Sequence, residues 1–284
     1  MYIILLISLC IIGGPLQSYA HSVCHPQTND NRSNYIVGYG SLINPVSKNK
    51  TYPDTGLNIP VNVTGFRRTW TARGYSNFSL STTYLGVEKL ADSFLNGVIF
   101  SVPSAAAVQK YDERERYYCR VKVPWEDIKI LKGKISDNGA FPSDDELKNS
   151  DFWIYVTIPR FSEYPNEQYP IVQSYVDIFI GGCLQMERKY GLQDYADDCV
   201  THTKGWNFPW VNDRIHPRRP FAYQSEAGGI DRLVSKYLPD YKTRTYVERI
   251  YYTRSTGSSG SPVSIMPSII AISGLTAACI TGSI

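Results

Sequence analysis

Two short stretches of the sequence carry residues that could take part in catalysis. The first is the turn YGSL, residues 39–42, which ends a run of strand-forming residues. Glycine weakens a strand but lets the backbone approach a ligand closely, and consecutive N–H groups in such a turn can hold a carboxylate or a phosphate. The second is Glu115, where a short predicted helix enters a strand. A carboxylate there can act as a general acid and base if its surroundings raise its pKa.

Each of these signals has a simpler interpretation when it is taken alone. YGS occurs by chance, and the run DERER, residues 112–116, is typical of a solvated charged surface. Asp112 and Glu113 are accordingly expected to stay in solvent. Arg67 and Arg68 could bind a substrate carboxylate, but side chains alternate along a strand, so only one of the two can face inward.

The elements that must position these residues are mostly strands up to about residue 130 and helices after it. Segments rich in Val, Ile, Thr and aromatic residues predict strands; they are NYIVGYG, VNVTGFRRTWTARG, FSLSTTYLGVE, NGVIFSV and RYYCRVKVPW. One helix is predicted to be capped by Ser104, a second to open at Pro170 and close at Gly191, and a third to cover 228–239. This order predicts an α+β domain with a closed or curled sheet.

The motifs, taken in order, resemble the gamma-glutamylcyclotransferase-like family. The matching stretches are YGSL at 39–42, GFRRTW at 65–70, NGVIFSV at 96–102, YDERERYYCRV at 111–121 and PIVQSYVDIFIGGCL at 170–184. The resemblance implies a small mixed β-barrel flanked by helices, with no metal and no organic cofactor. The implied reaction cyclises a gamma-glutamyl group to 5-oxoproline and releases an amine, an amino acid or Cys-Gly.

The resemblance also implies roles for individual residues. Glu115 would take a proton from the attacking amine and return one to the leaving nitrogen. The implied substrate-binding residues are Tyr39, Gly40, Ser41, Leu42 and Tyr118. Arg116 stands where family members often have glycine, and a salt bridge from it would lower the pKa of Glu115. We expect these two side chains to point apart, because adjacent residues do not face each other.

Other functions are weighed against this one. A non-catalytic surface binding module could keep the same fold, whereas a general hydrolase would need a Ser-His-Asp or Cys-His arrangement that the sequence does not suggest. The net charge of +3 is too small to indicate nucleic acid. The resemblance implies a small gamma-glutamyl molecule as the partner. Residues with expected structural roles, some of which could lie at the pocket mouth, are His21, His25, His202, His216, Trp206, Trp210, Asp213, Arg218 and Arg219.

Both ends of the chain carry targeting patterns. Residues 1–20 predict a signal peptide, and a retained membrane anchor is the alternative. Residues 255–284 combine a small polar spacer with an apolar tail and predict a glycolipid (GPI) anchor signal, with a short membrane span or a disordered tail as alternatives. The intervening chain divides into a 21–34 segment and a 35–254 domain with a 35–190 core and a 191–254 extension. The expected location is extracellular, at the cell surface.

Cysteines and sequons fit that location. Without the two ends, Cys24, Cys119, Cys183 and Cys199 remain, an even number that allows three disulfide pairings. Metal ligation is the rival interpretation, but neither CxxC nor a His-paired spacing supports it. Sequons for N-glycosylation occur at Asn31, Asn49, Asn62 and Asn77.

Overall fold

The computed structural model describes residues 24–29, 31–74, 82–134, 141–215, 217–219 and 226–247. The predicted signal peptide and anchor signal, with His21, Asn77 and His216, lie outside the described residues. The strands are β1 Asn34–Gly38, β2 Ile59–Arg73, β3 Thr83–Val102, β4 Tyr118–Val123, β5 Ile128–Ile130, β6 Asp151–Thr157, β7 Ile171–Val172, β8 Thr203–Lys204, β9 Trp210–Asn212 and β10 Thr245–Val247.

Helices follow and flank these strands. They are α1 Pro45–Asn49, α2 Ala105–Arg114, α3 Asp144–Lys148, α4 Gln173–Tyr190, α5 Tyr195–Thr201, α6 Ala227–Tyr237 and α7 Tyr241–Arg244, with 3-10 helices at Ser41–Ile43, Trp125–Asp127 and Pro159–Phe161. As predicted, the Ser104 hydroxyl caps α2 by accepting from the Ala107 N–H at 3.2 Å. Gly191 ends α4 in the left-handed conformation, at φ 60°. The start of α4 is later than predicted, at Gln173 rather than Pro170, because residues 171–172 pair with β9.

One large sheet dominates the fold and confirms the α+β prediction. Its strands run in the order β4-β6-β1-β3-β2-β5, with β8 added to β2, and a second sheet has the order β10-β9-β7. Register shifts near Gly65 and Thr71 interrupt the β2–β3 pairing, and such bulges bend a strand. Over the described residues the end strands β4 and β5 do not pair with each other, so the sheet forms a curled half-barrel and not a closed barrel.

Two of the longer strands differ from the sequence prediction. β3 is a single strand of 20 residues, although the sequence suggested two segments. β6 was not predicted at all, yet it lies between β1 and β4, parallel to the first and antiparallel to the second. Its buried side chains connect the strand that leads to the YGSL turn with the strand that leaves Glu115.

Disulfide bonds select one of the three possible pairings. Cys24 is bonded to Cys119 in β4, and Cys183 in α4 is bonded to Cys199 in α5. The first bond fastens the N-terminal segment to the strand that follows Glu115. The second holds the beginning of the 191–254 extension against the 35–190 core.

Two of the predicted glycosylation sites are exposed in the structure, and a third is partly buried. Asn31 and Asn49 are exposed, whereas Asn62 lies in β2 between β3 and β5 with its Oδ1 buried. Among the residues with described structure, no helix is both long and apolar enough to cross a membrane.

Candidate active site

β1 leads directly into the YGSL turn. After Gly38 the chain enters Tyr39 and Gly40, and Ser41–Ile43 then form a 3-10 helix. Tyr39 is buried, and its hydroxyl donates to the carbonyl of Tyr155 in β6 at 2.6 Å. Leu42 is also buried, and the amide of Asn58 donates to its carbonyl at 3.3 Å. The turn is therefore held from both sides by β6 and by the loop that precedes β2.

At Gly40 the first turn of α4 lies close to the YGSL turn. A Cβ at this position would lie 2.9 Å from the hydroxyl of Tyr175, in the first turn of α4. Real Cβ atoms essentially never approach another atom so closely, so a larger residue at this position would require the buried Tyr175 side chain to shift. Tyr175 was not among the predicted site residues, because only the fold brings it next to the turn.

Glu115 lies where α2 meets β4. Its N–H donates to the Tyr111 carbonyl, and its own carbonyl accepts from the N–H of Tyr118, both at 2.8 Å. The side chain is only 16% exposed. Burial raises the pKa of the Glu115 carboxyl, and the charge of Arg114 and its hydrogen bond oppose this effect. The carboxyl is thus shifted toward the range in which it can both accept and donate a proton.

The cation that pairs with Glu115 is Arg114, and not Arg116, for which the sequence analysis considered a salt bridge. The Nε of Arg114 lies 3.0 Å from Oε1 of Glu115, and its Nη2 donates to the Ser41 hydroxyl at 3.0 Å. Its guanidinium also donates to the Ser47 carbonyl at 2.8 Å. Arg116 is exposed and packs over the Tyr117 ring. Arg114 therefore connects the carboxylate to the YGSL turn.

Three buried phenols, those of Tyr39, Tyr118 and Tyr175, interact electrostatically with the carboxylate. Burial, followed by Coulombic influences that include Glu115, raises the pKa of Tyr39 and of Tyr118 well above the ordinary value. Burial and then Glu115 raise the pKa of Tyr175 to about 12, against opposing hydrogen bonds from Ser41 and Leu85. The Tyr118 hydroxyl donates to the Leu85 carbonyl at 2.9 Å. The structure thus brings together the predicted residues Tyr39, Gly40, Ser41, Tyr118 and Glu115.

Neither Arg67 nor Arg68 of β2 offers an unpaired guanidinium to this cluster. Arg67 points outward and pairs with Glu88. Arg68 points inward, is 0% exposed, and its guanidinium donates to Tyr39 O, Asn96 O, Asn96 Oδ1, Thr203 Oγ1 and Cys199 O. All its N–H groups have acceptors, so Arg68 positions backbone segments and is not available to a substrate.

Asp112 was predicted to stay in solvent, but the structure largely encloses its carboxylate. Its carboxylate accepts from Arg120 Nε at 2.9 Å and from the Tyr155 hydroxyl at 2.8 Å, and His25 lies 3.9 Å away. Glu113 is exposed, as predicted, and pairs with Lys110. Asp112 thus belongs to the packing behind the site, on the side of β6 that faces the N-terminal segment.

The extension packs against the core near the site. Trp206 and Trp210 are buried and stack on each other, and the Asp213 carboxylate accepts from both the N–H and the hydroxyl of Ser174, at 2.7 Å each. Arg219 lies over the Tyr84 ring, 4.5 Å from its centroid. Tyr84 in turn lies 5.1 Å from the ring of Tyr175. This packing agrees with the structural roles predicted for the tryptophans and Asp213.

The arrangement combines a turn suited to a polar or anionic head group with one partly exposed carboxyl of raised pKa. The buried phenols of Tyr39, Tyr118 and Tyr175 interact electrostatically with that carboxyl. Such a site can hold a small molecule in a bent conformation and move a proton between two of its atoms.

No family model matches the chain, and neither does any curated protein sequence. Solved structures do match. A structure described as "Gamma-glutamyl cyclotransferase" is 14% identical, with a TM-score of 0.43 over 72% of this chain and 99% of that one. An uncharacterized human protein is 13% identical, with a TM-score of 0.42 and the same coverage. A yeast gamma-glutamyl cyclotransferase specific to glutathione is 11% identical, with a TM-score of 0.36 over 60% of this chain and 97% of that one. The chain is similar to these structures at identities that do not assign an activity.

Proposed function

We propose that the protein is a gamma-glutamylcyclotransferase-type enzyme that converts a gamma-glutamyl group to 5-oxoproline. The observation that carries this proposal is the contact of Glu115 with the YGSL turn through Arg114. A partly buried carboxyl whose pKa is raised stands beside a turn whose backbone can approach a ligand. The motif resemblance gives the same residues these two roles.

The reaction needs one proton-transfer group and a restrained substrate. The turn, residues 39–42, holds the gamma-glutamyl head so that its α-amino group faces its own γ-carbonyl. The Glu115 carboxylate removes a proton from the ammonium, and the freed amine attacks the carbon of the γ-carbonyl (Cδ), whose oxygen takes up the negative charge. The protonated Glu115 then gives its proton to the leaving nitrogen as the carbonyl re-forms and the original C–N bond breaks. The carboxylate removes the second proton of the attacking nitrogen and passes it to the released amine, which leaves as an ammonium ion. The products are 5-oxoproline and a free amine, and no water is consumed.

Tethering supplies much of the rate in this scheme. Nucleophile and electrophile belong to the same molecule, and correct orientation of such pairs is worth on the order of 7–11 kcal/mol. The protein therefore has to select a cyclic conformer and manage protons, and the second task belongs to Glu115. Tyr39, Tyr118 and Tyr175 are buried beside it, and Arg114 favours its ionised form.

The test is 5-oxoproline release by the full-length chain, with glutathione, gamma-glutamyl dipeptides and gamma-glutamyl amines as substrates. Glu115→Gln keeps the size of the side chain and removes the base, so we expect a loss of kcat of roughly 10²–10⁴-fold. Glu113→Gln is the matched control, because Glu113 is exposed and lies two residues away in the same acidic run. Equal activity of wild type and Glu115→Gln would place the base elsewhere.

One observation favours a second candidate, a non-catalytic binding module. The hydroxyls of Tyr39 and Tyr118 are engaged with backbone carbonyls and Glu115 is ion-paired, as in a purely structural cluster. Absence of product from all substrates, with a folded wild-type chain, would support this candidate.

We also propose that the protein works in an oxidising compartment such as the secretory pathway or the cell surface. The two disulfide bonds, Cys24–Cys119 and Cys183–Cys199, support this proposal. The test is the location of the full-length chain in its own cells, with its cysteine oxidation state determined by mass spectrometry.

A further inference from the structure

Arg219 lies near the candidate site and has no anionic partner among the described residues. Its guanidinium lies over the Tyr84 ring, and no acceptor for its guanidinium N–H groups is found among the described residues. Its side chain is partly buried, and burial lowers its pKa to about 10. The contrast with Arg68 is clear, because each N–H group of that buried arginine has an acceptor.

The backbone of Arg219 is held firmly next to the site. Its N–H donates to the Ser174 hydroxyl at 3.2 Å, and that hydroxyl donates to the Asp213 carboxylate at 2.7 Å. Ser174 precedes Tyr175 in the first turn of α4, and Tyr175 faces Gly40. The position of Arg219 relative to the YGSL turn is therefore fixed by α4.

Two aromatic rings connect the guanidinium with the turn. Tyr84 packs under Arg219, and Tyr175 packs against Tyr84 with its hydroxyl at the Gly40 end. A gamma-glutamyl peptide bound with its head at the turn would place its leaving portion along these rings, toward the guanidinium. A partly desolvated guanidinium binds a carboxylate through two parallel hydrogen bonds.

We propose that Arg219 binds the carboxylate of the leaving portion of the substrate, so that the preferred substrates are gamma-glutamyl amino acids or peptides with a free C-terminus and not gamma-glutamyl amines. This inference rests on the proposed function, because it places the gamma-glutamyl head at the YGSL turn. In this scheme the extension selects the leaving group, whereas Glu115 and the YGSL turn act on the gamma-glutamyl head.

The experiment compares kcat/KM for gamma-glutamylalanine with that for gamma-glutamylalanine amide, which differs only at the C-terminal carboxylate. For the wild-type full-length chain we expect the free acid to be preferred roughly tenfold to a hundredfold, the range for a charge-assisted contact. Arg219→Gln should bring this ratio close to one, and Arg219→Lys should give an intermediate ratio because it keeps the charge. Arg67→Gln, at an exposed pair with Glu88, should keep the wild-type ratio.

The outcomes separate this inference from the proposed function. A wild-type ratio near one, or a high ratio that survives in Arg219→Gln, would overturn the role of Arg219 while 5-oxoproline release still supports the reaction. Release of 5-oxoproline from neither compound by a folded wild-type chain would overturn both. The wild-type comparison needs no variant, so it stands even if Arg219→Gln fails to fold.

Discussion

Arg114 and Glu115 are neighbours in the sequence, and their side chains form an ion pair of 3.0 Å. The same guanidinium donates to the Ser41 hydroxyl and to the Ser47 carbonyl. One side chain at the end of α2 therefore bonds both the proposed base and the proposed substrate turn. Loss of Arg114 is expected to affect the protonation of Glu115 as well as the position of the turn.

Arg114→Gln should move the acidic limb of the pH profile of kcat/KM to higher pH. Arg114 lowers the pKa of Glu115 against the larger effect of burial, so its removal leaves burial unopposed and raises that pKa further. The base must be ionised, so activity at pH 7 should fall. Together with the lost charge-assisted contact, the decrease should be on the order of tenfold or more. Arg116→Gln is the control, and an unchanged limb in Arg114→Gln would contradict the role of the pair.

Gly40→Ala should impair both folding and activity, and Tyr175→Phe should restore part of the loss. The new Cβ would lie 2.9 Å from the Tyr175 hydroxyl, and overpacking of this kind costs about 1–3 kcal/mol. Removing the hydroxyl takes away the clashing atom, so the double variant should be more stable than the sum of the single changes. Chemical denaturation of all four proteins measures the coupling. Gly181→Ala, whose Cβ would have its nearest neighbour at 3.7 Å, is the control.

Local features of the fold could be predicted from the sequence. Ser104 caps α2, Gly191 ends α4, and the YGSL turn follows β1, because each of these depends on residues within one turn of one another. The α+β class followed from strands that precede helices. β6 was missed because its continuous apolar run lacks the polar alternation that identifies a strand, as is typical of a strand buried on both faces.

The environment of the site could not be predicted in the same way. Tyr175 and Arg219 reach it through the packing of α4 and of the extension, which no local pattern records. The sequence resemblance singles out Arg116, the residue after Glu115, whereas the helix end directs the preceding side chain, Arg114, toward the carboxylate. Asp112 belongs to a charged run and is still largely enclosed, since β6 brings the Tyr155 hydroxyl to it.

Glu115→Gln should make the protein more stable at pH 7 although it removes the base. Burial raises the pKa of Glu115 in the folded protein from its ordinary 4.5, so the folded state retains a proton that the unfolded chain has released. The free energy of unfolding therefore falls as the pH rises from the ordinary carboxyl pKa through the raised one. Glutamine carries no charge and avoids this cost.

Thermal unfolding of wild type and Glu115→Gln at pH 4 and at pH 7 measures this effect. The gain in Tm should be present at pH 7 and small at pH 4, where the carboxyl is largely protonated in both states. Glu113→Gln, at an exposed position, should show no such difference. A lower Tm for Glu115→Gln at pH 7 would mean that the Arg114 pair outweighs the cost of burial.

Removal of either disulfide bond should lower the free energy of unfolding by roughly 2–5 kcal/mol. Cys24–Cys119 closes a sequence separation of 95 residues and Cys183–Cys199 one of 16, so the chain-entropy contribution is larger for the first. Paired Cys→Ala variants compared by urea denaturation test this order. Cys183 and Cys199 are fully buried, so their removal adds a packing loss. A change in the free energy of unfolding below about 1 kcal/mol in either variant would contradict a structural role for that bond.

Arg68→Met should destabilise the protein strongly and should not act through substrate binding. The fully buried guanidinium donates to acceptors in the YGSL turn, β3, α5 and β8. Met removes these five hydrogen bonds, a loss on the order of 3–5 kcal/mol. Arg68→Lys should restore little, because one ammonium cannot reach acceptors spread around a planar guanidinium. The measurement is the free energy of unfolding, with KM determined on the folded fraction. Arg67→Met, on the outer face of the same strand, should change neither quantity, whereas a stable Arg68→Met variant with a raised KM would return Arg68 to the substrate site.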